Sequence, residues 1–122
     1  MREIRFRGKC MEMGKWVYGN LIKQFDIVDR LLKYYYIESY TGEEINLVEP
    51  KTIGQFTGLE DKNGREIYEG DIVGDSNESY IVHYNTKTLS FDLKDFDELN
   101  QCPLYYFSKC KVIGNIHEKK RW

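Results

Sequence analysis

Apolar and polar residues alternate along most of this chain, with the two-residue period of half-buried strands. In residues 2–7, Ile4 and Phe6 fall on one side and Glu3, Arg5 and Arg7 on the other, and Gly8 is expected to end the strand. Residues 16–24 repeat the pattern, with Trp16, Tyr18 and Ile22 against Val17 and Leu21. Their closeness in sequence predicts a hairpin turned through residues 9–15, where Gly14 supplies a permissive backbone position. Residues 25–30 read equally as turn or strand end. Residues 31–40 form a third strand in which Tyr34 and Tyr36 share one face and Tyr35 and Ile37 the other. Thr41-Gly42 marks a turn, and residues 45–48 a short strand closed by Glu49-Pro50, since proline removes a ladder donor.

Residues 55–74, QFTGLEDKNGREIYEGDIVG, carry the densest turn chemistry. A strand is expected over residues 51–59, then a tight hairpin turn over Glu60-Asp61-Lys62-Asn63-Gly64-Arg65, in which Asn63-Gly64 take positive φ with little strain. Residues 66–68 return as a strand, and Glu69-Gly70-Asp71 bends the chain again. The Asp71 carboxylate is placed to accept local backbone N–H groups before a strand starts at Ile72-Val73. Residues 79–84 and 89–93 both alternate and predict a hairpin. In DLKDFDELNQ, the spacing by three of Leu93, Phe96 and Leu99 predicts a helical turn or short helix ended by Cys102-Pro103. Residues 104–107 and 111–117 read as closing strands. The pattern therefore predicts one mainly-β domain of about eight or nine short strands, a small partly open barrel or sandwich of SH3-like flavour, with at most one short helix.

Composition narrows the partners. The 122 residues carry a formal net charge of −2, and the charge is evenly spread: residues 1–61 and 62–122 each hold nine Lys/Arg and ten Asp/Glu. That balance argues against a bulk electrostatic grip on nucleic acid. The three cysteines, Cys10, Cys102 and Cys110, are odd in number and form no CxxC, which suits a reducing compartment. The opening MREIRFRGK has no apolar segment behind it, so no secretory leader is expected, and no run has the roughly 18 apolar residues of a membrane helix. The expected location is the cytoplasm.

Candidate chemistry is sparse. His83 and His117 are far apart in sequence, and no cysteine pair has zinc-ligand spacing, so no metal or cofactor is expected. The cysteines lack a neighbouring histidine for nucleophilic catalysis. Glu66, Glu69 and Asp71 are close in sequence but sit on a polar bend, where solvated turn positions and backbone capping account for them. Gly64 and Gly70 lack the Lys-Ser/Thr of a phosphate loop. What remains is an aromatic surplus, ten tyrosines, six phenylalanines and two tryptophans. Arg5, Arg7, Trp16, Tyr18, Tyr34, Tyr35 and Tyr36 form the expected interaction surface. Its first reading is contact with a protein, a second copy of this chain included. Its alternative is a nucleic-acid-binding module that stacks bases on aromatics.

Several segments together resemble the YopX family of phage and prophage proteins. They are MREIRFR at the start, Trp16-Val17-Tyr18-Gly19, the long IGQFTGLEDKNGREIYEGDIV, and VIGNIHE near the end. Within them Gly58, Asn63, Gly64, Gly70, Asp71 and Gly114 read as turn and fold positions. The resemblance implies a small β-rich phage or prophage accessory protein of a bacterial host, without an established enzymatic activity. Residues 69–73 also resemble, more weakly, the Gly-Asp approach to a strand in SH3-like barrels.

Overall fold

A computed structural model describes residues 4–75, 78–95, 101–103 and 110–118. Among them, eleven short strands form in the order β1 (Phe6–Lys9), β2 (Trp16–Phe25), β3 (Lys33–Glu38), β4 (Ile45–Leu47), β5 (Gly54–Glu60), β6 (Glu66–Tyr68), β7 (Asp71–Gly74), β8 (Ser79–Asn85), β9 (Ser90–Lys94), β10 (Gln101–Pro103) and β11 (Lys111–Asn115). A single 3-10 turn, Pro50–Thr52, precedes β5. Among the described residues all pairings are antiparallel, and none closes a barrel. The mainly-β expectation holds, with more strands than the eight or nine expected. One reason is that residues 101–103, read as the end of a helical stretch, pair with β9 instead. The expected helical turn at Phe96 and Leu99 and the strand at 104–107 lie outside the described residues. The chain divides into two compact units, Met1–Gln55 and Phe56–Trp122.

In the first unit, β4, β3, β2 and β1 pair in that order, and β1 also takes Gly54 and Gln55 at the start of β5. The β2–β3 ladder runs without a break from Asn20↔Glu38 to Phe25↔Lys33. Cys10, Ile37 and Val48 are the buried apolar residues among those described in this unit. Pro50 fixes φ at the start of the 3-10 turn, which presents Thr52 to β1: the Lys9 N–H donates to Thr52 Oγ1 at 2.8 Å, and Thr52 Oγ1 donates to the Glu49 carbonyl at 2.6 Å.

Two expectations for β1 are corrected. Gly8 does not end the strand but lies inside it, because Val48 packs on it; a β-carbon there would meet the Val48 side chain at 3.0 Å. Arg7, assigned to a solvated face, is 4% exposed. Its guanidinium lies 4.8 Å from the centre of the Trp16 ring, so an aromatic face and the aliphatic stem replace the water that alternation alone predicts.

In the second unit, β7 is buried along its whole length between β8 and β11. Ile67, Val73, Val82, Leu93, Cys110 and Val112 form the core, with Tyr80 packed against it. Each fully buried Ile, Val or Leu contributes about 1.5–3 kcal/mol. Phe56 and Tyr68 pack with ring centres 5.4 Å apart, and Tyr84 meets Phe91 edge-on at 5.2 Å. Gly114 follows a bulge at Ile113, where β11 shifts register against β7. His83 Nε2 and Asp92 Oδ1 meet across β8 and β9, and Asn85 Nδ2 donates to Asp92 Oδ2 at 3.0 Å.

The turn between β5 and β6 is built on Asp61, which the sequence places in the turn without marking its capping role. Its Oδ1 accepts the N–H groups of Asn63 and Arg65, both at 2.9 Å, and its Oδ2 accepts the Val112 N–H at 2.9 Å. Burial pushes the carboxyl upward, but the three N–H donors and the Arg65 charge outweigh it and hold Asp61 below its ordinary range. Of the Asn63-Gly64 pair only Gly64 takes positive φ, +82°. The Gly64 N–H donates to the Asp61 carbonyl at 3.0 Å, so a three-residue turn with one left-handed glycine replaces the expected two-residue form. Gly58 stands at φ +88° where the β5–β6 register shifts.

Gly70 has φ +92° and is buried; its N–H donates to the Val82 carbonyl, and its own carbonyl accepts from Ile116, both at 2.9 Å. Asp71 Oδ2 accepts the Tyr68 N–H at 2.8 Å across the same bend. Gly70→Val should therefore destabilise the protein by about 1 kcal/mol or more, read as a lowered thermal midpoint. An unchanged midpoint would show that the bend tolerates an ordinary side chain.

Candidate functional site

The β2–β3 hairpin carries an exposed apolar surface that the fold does not explain. Five apolar side chains cluster at its tip: Phe25 is 50% exposed, Ile27 95%, Val28 94%, Leu31 89% and Leu32 49%. Scattered exposed apolar residues are ordinary, whereas five within eight residues on one loop point to a contact surface.

The loop holds these side chains outward by its own hydrogen bonds. Asp26 Oδ1 accepts the N–H groups of Val28 at 2.8 Å and Asp29 at 2.9 Å. Asp29 Oδ1 accepts the Leu31 N–H at 3.0 Å. Backbone bonds from Asp26 to the Leu32 carbonyl and from Leu32 to the Asp29 carbonyl, both 3.0 Å, close the base. The two aspartates thus perform the backbone pairing that a β-ladder would otherwise supply. The N–H groups of Asp29 and Val28 hold the Asp26 carboxyl below its ordinary range against a small opposing effect of burial. Because the folded value is the depressed one, this ordering is present above the unfolded carboxylate range and is lost as pH falls through the folded value.

Cations ring the base of the tip. Lys23 Nζ lies 5.2 Å from the Phe25 ring centre and 5.9 Å from that of Tyr35, and Lys33 Nζ lies 5.8 Å from Phe25. Arg30 is exposed within the loop and lines a shallow recess with Phe25, Asp26 and Ile27. On the other face of the hairpin, Ile22 is opposite Tyr36 and Gln24 opposite Tyr34, and a second recess is lined by Gln24, Tyr34 and Tyr36 with the tip.

The residues expected to form one interaction surface are therefore spread over three places. Tyr34 and Tyr36 share a face near the tip, and Tyr35 lies on the opposite face beside Lys23. Trp16 and Tyr18 stand at the start of β2, paired with Lys9 and Arg7. Arg7 is buried under Trp16, and Arg5 is partly buried just ahead of β1. The tip itself, residues 25–32, was not singled out by sequence. Its legible signal was Asp26 and Asp29 spaced by three, a loop-capping pattern, among apolar residues that alternation would have sent inward.

Asp26→Ala should loosen the tip without unfolding the protein. Trypsin is expected to cut after Arg30 several-fold faster in the variant, with an unchanged thermal midpoint. Equal cutting rates would show that Asp26 does not order the loop.

Elsewhere among the described residues, no group of three or more His, Cys, Asp or Glu side chains could hold a metal ion. Cys10 and Cys110 are buried thiols outside any disulfide. Among the described residues no helix is long and apolar enough to cross a membrane.

The crystal structure of protein EF1440 from Enterococcus faecalis is similar to this chain at 25% identity and a TM-score of 0.53, over 97% of this chain and 96% of that one. No curated protein matches. The family model described as YopX protein matches residues 5–121. The match runs through both units and takes in the hairpin with its apolar tip, so the chain belongs to the YopX family.

Proposed function

We propose that this protein is a non-enzymatic binding module whose contact element is the tip of the β2–β3 hairpin and whose partner is a protein. The carrying observation is the outward, hydrogen-bonded presentation of Ile27, Val28 and Leu31. A loop ordered before contact loses little conformational entropy on binding, and apolar side chains already in water gain by being covered. Asp26 and Asp29 within the tip favour a protein surface over lipid, because carboxylates are costly in hydrocarbon. Family membership supports a phage or prophage accessory role in the cytoplasm of a bacterial host.

Single-stranded nucleic acid is the alternative occupant, favoured by Lys23 and Lys33 beside Phe25 and Tyr35. The burial of Arg7 removes one of its expected cations.

A photo-crosslinking amino acid at position 28, introduced in bacterial cells carrying the full chain, tests the proposal. Protein adducts are expected. Adducts to nucleic acid alone, or none, would overturn it.

A further inference from the structure

The first unit carries a second exposed surface, apolar at its rim and acidic where the tip is mainly basic. A groove of about 340 Å³ lies beside β4, lined by Cys10, Met11, Glu12, Ile45, Asn46 and Leu47. Its apolar rim is exposed, Met11 at 55% and Ile45 at 57%. Its one charged lining residue is acidic, and Glu43 and Glu44 directly precede β4. The tip is apolar at its crown, and Lys23, Lys33 and Arg30 around it outnumber its two carboxylates, Asp26 and Asp29, which accept the loop's own N–H groups.

The tip cannot reach the groove of its own chain. β4 pairs with Tyr36, Ile37 and Glu38, at the far end of β3 from the tip, and the unbroken β2–β3 ladder holds the two apart by roughly 3.3 Å per residue. Two complementary surfaces that do not overlap on one rigid unit can meet only between molecules.

Resting on the binding role assigned to the tip, we infer that its occupant is a second copy of this chain: the tip of one molecule seats Val28 and Leu31 in the Met11–Ile45 groove of the next. The contact is head-to-tail. It leaves one tip and one groove unused at the ends of any chain of copies, so association proceeds to a ring or an open filament. Opposite charge at the rims sets the register, and like charge disfavours tip-on-tip and groove-on-groove pairing.

Light scattering on full-length protein tests this with two variants, Val28→Asp and Ile45→Asp, each first shown to keep the wild-type thermal midpoint. The wild type should exceed its one-chain mass of 14.6 kDa increasingly with concentration. Each variant alone should stay at one-chain mass. An equal mixture should give two-chain particles, because an intact tip then meets an intact groove. Should either variant fail to fold, Lys33→Glu and Glu12→Lys replace them: each alone weakens association about tenfold, and mixing restores it. A wild type at one-chain mass up to about 1 mM would overturn the inference. So would a mixture that stays at one-chain mass while the wild type associates. Adducts from position 28 that hold another protein and never this chain would sink the inference and leave the tip's binding role standing.

Discussion

Gly19→Val should unfold the first unit or bring it close to unfolding. Gly19 sits in the middle of β2 at φ +156°, and a β-carbon there would lie 1.9 Å from the Glu38 carbonyl oxygen and 2.8 Å from its carbon. No rotamer relieves this, because the obstacle is backbone and the added atom is the first of the side chain. Relief requires separating β2 from β3 at Asn20↔Glu38, the first pair of the ladder that carries Ile37 into the core. The expected loss is at least about 3 kcal/mol, in the range of severe backbone and overpacking substitutions. Urea unfolding followed by far-ultraviolet circular dichroism measures it. Gly42→Ala is the matched control. Gly42 has φ +75° with nothing within 4 Å of an added β-carbon, so it isolates the dihedral effect, about 1 kcal/mol. Equal losses at the two positions would show that the Glu38 contact is not the cause.

Asp61→Ala should be the most damaging single change in the second unit outside its apolar core. It removes the acceptor of three N–H groups, and the Val112 donor is buried, where no water replaces the lost bond. The expected loss is about 3 kcal/mol. Asp61→Asn separates charge from shape. One amide oxygen can still accept two N–H groups, but the amide nitrogen then faces the third donor, so a smaller loss remains. The pH dependence gives a second readout. Asp61 is depressed in the folded state, so its contribution is complete above the unfolded carboxylate pKa of about 3.9 and disappears as pH falls through the folded value. The acid limb of stability should therefore be shallower in Asp61→Asn than in the wild type. Parallel acid limbs would show that the carboxylate charge contributes nothing there.

Strand content was legible because alternation is a local property. The opposed faces of Tyr34–Tyr36 and Tyr35–Ile37 follow directly from it, and the β2–β3 register places them so. Arg7 was illegible by the same rule. Period two gives the face of a side chain but not what covers that face, and the cover is Trp16 on the neighbouring strand. Asp61 was half legible. An acid two residues before an Asn-Gly turn is a local capping pattern, but its third donor, Val112, lies 51 residues away. The tip was the least legible. Ile27, Val28, Leu31 and Leu32 carry the composition of a core, and only the tertiary arrangement shows that nothing described packs over them. Residues that violate the local rule are where contact surfaces are expected.

The Asp61–Val112 bond also bears on how the chain is made. β1 to β4 find all their strand partners within the first 55 residues, so that unit has its pairing set complete once this length has left the ribosome. The second unit does not. Its turn at Asp61 and the inner strand β7 both wait for β11 and the residue before it, which supply the Val112 N–H and the Cys110 carbonyl that accepts from Lys62. At about 5–20 residues per second, several seconds pass in which β7, apolar at Ile72 and Val73, has been synthesised but lacks one of its two neighbours. That interval is when the nascent chain offers an unpaired strand to other chains, and a chaperone that shields extended apolar segments would act there.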